Sequence, residues 1–155
     1  AATNGEHRVR GATLGANGEM RPGWALFVNY TYLDGEVISS ANAFEVGQRL
    51  DNLPRHSASV WTTYQVNDRL KIGGGLLHVG ERNSNVRPNP TFDLTVVVPG
   101  YTVLDAMATW RLTDRLELQL NLNNLANTRY WQGVQPGQSL PGPTRSATVS
   151  LTAGF

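Results

Sequence analysis

The sequence predicts an all-β chain: an antiparallel, up-and-down transmembrane β-barrel segment of about seven strands. Three observations carry that expectation. Apolar and polar residues alternate with a period of two over stretches of about nine to twelve residues, close to the length that crosses a bilayer at a tilt. Short turn signals alternate with long polar connections, the pattern of barrels that span a membrane. No window approaches the roughly 18 to 20 consecutive apolar residues of a spanning helix, the densest run being Leu94 to Val98 with Thr95 inside it.

Taken in order, the first strand runs from Arg10 to Met20 and ends at the turn signal Arg21-Pro22-Gly23. From Trp24 to Tyr32 the even positions Trp24, Leu26, Val28, Tyr30 and Tyr32 form an apolar face. A long connection, Asp34 to Leu53, leads to the third strand, Ala58 to Val66, where Ala58, Val60, Thr62, Tyr64 and Val66 oppose Ser57, Ser59, Trp61, Thr63 and Gln65. The turn Asn67-Asp68-Arg69 opens the fourth, Leu70 to Val79. After a second long connection, Arg82 to Pro99, the fifth spans Thr102 to Leu112 and turns at Thr113-Asp114-Arg115. The sixth, Leu116 to Asn124, is the clearest, with leucines at 116, 118, 120 and 122 against Glu117, Gln119, Asn121 and Asn123. A third long connection, Leu125 to Pro143, precedes a last strand whose alternation continues to Phe155.

The three short turns are evenly spaced, and a repeat of roughly 40 to 50 residues also describes a propeller blade. A blade packs four short strands into that length, whereas here each repeat holds two long ones. Composition narrows the classes further. The net charge of +1, with acids and bases scattered, gives no nucleic-acid footprint. The absence of cysteine excludes a disulfide scaffold, a thiolate metal site and a cysteine nucleophile. The first residues, Ala1 to Gly5, carry neither a basic nor an apolar leader region.

Aromatics gather where two interfaces are expected. Trp24, Tyr64, Trp110 and Phe155 lie near a short turn or the terminus, and Tyr30 and Tyr32 near the opposite end. With the apolar parity toward lipid, Asn17, Glu19, Lys71, Asp105, Arg111, Glu117, Gln119, Asn121 and Asn123 point inward, and a polar interior suits a large transmembrane barrel better than a small soluble one. His7, His56 and His78 lack a metal-binding spacing, His78 reads as an interface histidine, and no motif supports pairing it with Ser84 as base and nucleophile. Gly73-Gly74-Gly75 is followed by no Lys-Ser/Thr and reads as a bend or close approach rather than a phosphate loop.

Several segments go beyond pattern to wording. Gly100-Tyr101-Thr102-Val103-Leu104-Asp105-Ala106-Met107-Ala108-Thr109-Trp110 resembles a strand near the end of TonB-dependent siderophore receptors. Asn121-Leu122-Asn123-Asn124-Leu125 with Arg129-Tyr130-Trp131 is similar to that family's Asn-Asn-Leu strand end, and Arg49 to Ser57, followed by Trp61 and Tyr64, to its proline-led strand opening. Pro141-Gly142-Pro143-Thr144-Arg145 resembles the family's Gly-x-Pro-Arg segment, with Thr144 intervening, and Phe155 resembles the terminal aromatic that barrel-assembly machinery reads.

The resemblance implies that residues 1–155 are the C-terminal third of a 22-stranded barrel in a Gram-negative outer membrane, enclosing a plug that these residues do not include. It implies a transporter rather than an enzyme, with ferric siderophore bound by extracellular loops and plug apex and import energised through TonB by way of an N-terminal box. It implies no resident cofactor, since iron arrives as cargo. Partners would be outer-membrane lipid, lipopolysaccharide and the assembly machinery, and the three short turns would be periplasmic. Among loop residues, Arg49, Arg82, Arg87, Tyr130 and Trp131 suit an anionic, aromatic chelate. By itself such a segment would leave two unpaired strand edges in lipid and transport nothing. A passive porin, or a small β-barrel binding or adhesion module, are the other readings of the same pattern.

Overall fold

The computed structural model describes residues 5–84, 96–135 and 138–154. The short turns form because their side chains close them. Gly23 takes the positive φ of 80° that follows Pro22, and its amide donates to Glu19 Oε1 at 2.6 Å. Asn67 Oδ1 accepts from the amides of both Arg69 and Leu70 at 2.9 Å, and Thr113 Oγ1 accepts from Arg115 N at 3.3 Å.

These turns join long antiparallel strands: β1 (Gly5–Arg21) to β2 (Trp24–Ser40), β3 (His56–Gln65) to β4 (Leu70–Val79), and β7 (Tyr101–Thr113) to β8 (Leu116–Asn123). With β11 (Ser146–Ala153) they make a seven-stranded sheet in the order β1-β2-β3-β4-β7-β8-β11, every pairing antiparallel. Sequence neighbours are sheet neighbours throughout, which is the up-and-down topology the alternation predicts. Among the described residues β1 and β11 pair on one side only. The sheet is a wall rather than a closed barrel.

Two expectations about the loop end are corrected. The first two strands were expected to stop near residues 10 and 32, yet both run for 17 residues. At about 3.4 Å per residue that is nearly 60 Å of hairpin, more than a tilted strand needs for a hydrocarbon layer of about 30 Å. The pattern hid this because alternation fades where no lipid sorts the two faces. Pairing continues there through polar contacts, including the Arg8–Glu36 ion pair and Asp34–Arg55 at 3.2 Å. The remainder of the Asp34 to Leu53 connection folds back on β2 and contains a 3-10 turn, Ala43–Glu45, capped by Asn42.

The other long connections are not irregular throughout either. β5 (Arg82–Ser84) pairs with β6 (Val96–Val98), and β9 (Trp131–Gln135) with β10 (Gln138–Pro141), each as a separate two-stranded ribbon. A run of three valines is a strand former by side-chain shape. Its shortness disguised it.

The register settles which residues share a face, because directly opposed residues point the same way. Val28, Val60, Leu76 and Leu104 form one continuous row, followed toward the short turns by Leu26–Thr62–Gly74–Ala106–Leu122 and then by Trp24–Tyr64–Ile72–Ala108–Leu120–Val149. Trp24, Tyr64 and Trp110 are exposed on this face beside the short turns, and Tyr30 and Tyr32 are exposed at its other end. Tyr30 Oη meets His56 Nδ1 at 2.7 Å, and the Tyr32 and His56 rings lie 5.3 Å apart. An apolar band between two aromatic girdles is the surface that lipid solvates. Among the described residues no helix is long and apolar enough to cross a membrane. Apolar burial is instead concentrated at the loop end, around Val37, Val98, Val103 and Val134.

Candidate functional site at the loop end of the wall

The face opposite the lipid band carries the polar residues expected of it. Lys71, Thr109, Gln119 and Ser150 stand in one row, and Arg111, Glu117 and Thr152 in the next. It is not wholly polar, which corrects the sequence reading. Phe27 and Trp61 oppose each other in register, the Trp61 ring lies over Gly75, and Leu77, Val103 and Met107 share the face. A recess of about 360 Å³ opens here, lined by Gly15, Asn17, Phe27, Asn29, Ser59 and Trp61. A Cβ at Gly75 would collide with Val60 O and Trp61, so only glycine lets the indole lie flat against the wall. The signal for this patch was available as two aromatics of the wrong parity.

Above the face, the three long connections converge. The first returns to β2 through Val37 N to Gln48 O at 3.0 Å and Leu50 N to Gly35 O at 3.1 Å, with Arg49 bridged to Glu36. Asn52, at a positive φ of 55° that asparagine tolerates, gives its amide proton to Asn83 O at 2.8 Å and its side-chain NH₂ to Val134 O. Arg82 gives Nη2 to the carbonyls of Trp131 and, at 3.1 Å, Gln132. First connection, β5 and β9 are thus tied at one place.

The third connection is closed by a clasp. Asn124, 2% exposed and at a φ of 50°, turns the chain off the end of β8. Its amide donates to Asp105 Oδ1 at 2.8 Å, its Nδ2 to Thr128 O at 2.9 Å and Pro143 O at 3.0 Å, and its Oδ1 accepts from Thr128 N at 2.8 Å. Tyr130 stacks on Tyr101 with ring centroids 4.1 Å apart and lies against Gly142. Burial first, then the electronegative neighbours Tyr101 and Asp105, pushes the Tyr130 hydroxyl above its ordinary pKa of 10.0, so it stays neutral at physiological pH.

The residues expected to meet cargo separate accordingly. Arg82 is joined to Trp131 through the Trp131 backbone carbonyl, and Trp131 is 45% exposed. Arg49 lies on the neighbouring loop, and Tyr130 faces the clasp. Arg87 and Phe155 lie outside the described residues. Among the described residues no cluster of His, Asp or Glu could hold a metal, and His78 is engaged by the Thr102 hydroxyl at 2.9 Å, with no hydrogen bond joining it to Ser84.

A wall of long antiparallel strands with a lipid face, an opposing partly polar face and long folded loops at one end defines an outer-membrane barrel protein. Comparison with known proteins narrows the class. A family model described as TonB dependent receptor-like, beta-barrel, matches residues 1–125. A probable TonB-dependent siderophore receptor of Acinetobacter baumannii, PiuA, is 34% identical over 140 residues, which is 84% of this chain and 18% of PiuA. A probable TonB-dependent receptor of Bordetella pertussis, BfrD, is 31% identical over 99% of the chain and 21% of its own length. The crystal structure of PiuA superposes with a TM-score of 0.82 at 31% identity, over 96% of this chain and 22% of that one. The ferric-catecholate import receptor Fiu of E. coli K12 superposes at 0.83 with 25% identity, over 97% of this chain and 21% of that one.

The chain belongs to the TonB-dependent receptor β-barrel family. It is a stretch of barrel wall from the outer membrane of a Gram-negative bacterium, spanning about a fifth of the length of the relatives it matches.

Proposed function

We propose that the chain is the C-terminal barrel segment of a receptor that imports ferric siderophores across the outer membrane, energised through TonB. The observation that carries this reading is the match of nearly the whole sheet, at a TM-score of 0.82 and 31% identity, to a receptor described as a siderophore receptor. The loop end supports it: Arg82 is bonded to the backbone of Trp131, itself exposed, where three loops converge, and arginine and aromatic residues suit an anionic chelate with aromatic parts.

On this reading the protein is a transporter and not an enzyme, it carries no cofactor of its own, and iron is cargo. Arg49, Arg82, Arg87, Tyr130 and Trp131 supply loop contacts to that cargo. The plug and TonB-binding box lie upstream, lipopolysaccharide contacts the outer girdle, and β11 with Phe155 is the segment read by the assembly machinery.

The test is uptake of radioactive iron by host cells presented with ferric catecholate, hydroxamate or citrate complexes. Deleting the receptor gene is expected to abolish uptake of at least one complex, and deleting TonB to abolish the same one. Uptake that persists without TonB would instead identify a passive pore, and uptake indifferent to the receptor would overturn the reading.

A further inference from the structure

We propose that Arg8, Arg10 and Arg55 form a site for the phosphate groups of an outer-leaflet glycolipid, gripped directly and without a bridging divalent cation. The inference deepens the lipopolysaccharide contact proposed above and rests on it. Arg8 stands opposite Glu36 and Arg10 opposite Asp34, on the parity of β1 that Ala12 and Leu14 carry into the lipid face opposite Tyr32 and Tyr30. His56 pairs with Tyr32 in the girdle, and Arg55 reaches the row above it by its ion pair with Asp34 at 3.2 Å. Two charged rows, about 7 Å apart, therefore stand directly beyond the outer aromatic girdle on the lipid-facing side.

Holding the hairpin together does not account for these cations. Arg8 takes Glu36 and Arg55 takes Asp34, which leaves Arg10 with no carboxylate among the described residues. Arg49, opposite Glu36 on the first connection, adds another cation to the upper row. Four arginines thus share two carboxylates, and exposed ion pairs of this kind contribute little to stability. The first connection covers the other side of the hairpin: a Cβ at Gly35 would strike Leu50 and Leu53, and Val37 is buried. On the outward side the Arg8 and Arg55 side chains stay 45% and 47% exposed, and Arg10 is exposed beside them.

Position and charge specify the ligand. Tyrosines settle at the headgroup level of a bilayer, so the first charges beyond them meet headgroup phosphates. A guanidinium fork matches phosphate oxygens and keeps its charge at every physiological pH. Free phosphate offers the same oxygens. The rows continue the lipid face, however, and a phosphate whose acyl chains lie against Leu14, Val28 and Val60 is held at both ends. Both carboxylates are already engaged, and among the described residues no acidic cluster could hold a metal ion, so the arginines take the phosphate without a cation between.

The test uses the full-length receptor in detergent, stripped of lipid, as wild type, as the double variant Arg10→Gln/Arg55→Gln, and as Lys71→Gln, which removes a cation of the inward face. Native mass spectrometry counts bound molecules as rough lipopolysaccharide, its dephosphorylated form, phosphatidylglycerol or inorganic phosphate is added, with and without EDTA. Wild type and Lys71→Gln are expected to hold the phosphorylated glycolipid equally, EDTA present or not, and the double variant to hold it about ten-fold more weakly. Removing the lipid's phosphates is expected to weaken wild-type binding to the same degree. Should the double variant fail to form a heat-modifiable barrel, Arg10→Gln, which breaks no ion pair, carries the test with a smaller loss in an intact barrel. Equal binding by variant and wild type overturns the inference, as does binding lost in EDTA, which puts a cation between lipid and carboxylates. Phosphatidylglycerol or free phosphate held as tightly as the glycolipid overturns the choice of ligand, and a wild type that binds no glycolipid overturns the lipopolysaccharide contact as well. The double variant alters no residue proposed to meet cargo, so the receptor reading stands or falls separately, by iron uptake.

Discussion

Asn124 shows how much one polar side chain can hold at the rim of a membrane wall. It is buried, and its three side-chain bonds fix the exit of β8 against Thr128 and the approach to β11 through Pro143. Asn124→Ala leaves an amide and two carbonyls without their partner and places alanine at a positive φ, so it is expected to destabilise the barrel by about 3 kcal/mol. The urea midpoint of the receptor in detergent measures this. Gly142→Ala acts on the same clasp by overpacking, since a Cβ there would fall inside the Tyr130 ring, and is expected to cost about 1 to 3 kcal/mol. A change within about 0.5 kcal/mol for either variant would show the clasp to be loose. Because the Tyr130 hydroxyl has a raised pKa, the stack keeps its full contribution below pH 10 and loses it only as the hydroxyl ionises above that value.

Strands are where sequence and structure agree best. The Leu116 to Leu122 alternation named a strand, its limits and its lipid face, because a lipid boundary sorts side chains as sharply as a protein core does. The same logic explains the failures. Gly5–Val9 and Gly35–Ser40 pair outside the lipid, where nothing enforces parity, so the sequence reading begins the first strand only at Arg10 and places Gly35–Ser40 in a loop. Val96–Val98 pairs with Arg82–Ser84 in a ribbon of three residues, too short for a period to declare itself. The partners of Arg82 and Asn52 come from β9, far along the chain, and no local spacing announces them. Arg82 was legible as a loop cation; that it is buried was not.

The adjacent pair Leu76 and Leu77 isolates the parity claim within one element. Leu76 stands in the lipid row with Val60 and Leu104, whereas Leu77 stands on the inward face with Ser59 and Val103. Leu76→Arg puts a cation near the middle of the apolar band and is expected to cost about 2 to 4 kcal/mol. Leu77→Arg meets a partly polar face and is expected to cost under about 1 kcal/mol. Outer-membrane yield and urea midpoint read both, and equal penalties would contradict the register.

Taken whole, the described residues form no conventional core. Their sheet is apolar toward one face, mixed toward the other and folded over by loops at one end, so its stability depends on lipid against the apolar face, and among the described residues each edge strand has a partner on one side only. That is the architecture of a receptor wall, and the parity of its strands is the claim on which lipid face, inward face and loop-end site all rest.

Spin labels at single cysteines, Leu76→Cys and Leu77→Cys, in the full-length receptor reconstituted in bilayers test that claim most directly. The label at residue 76 is expected to collide freely with dissolved oxygen and hardly at all with a water-soluble nickel chelate. The label at residue 77 is expected to be shielded from oxygen. Reversal of the two, or the same accessibility at both, would contradict the assignment of faces.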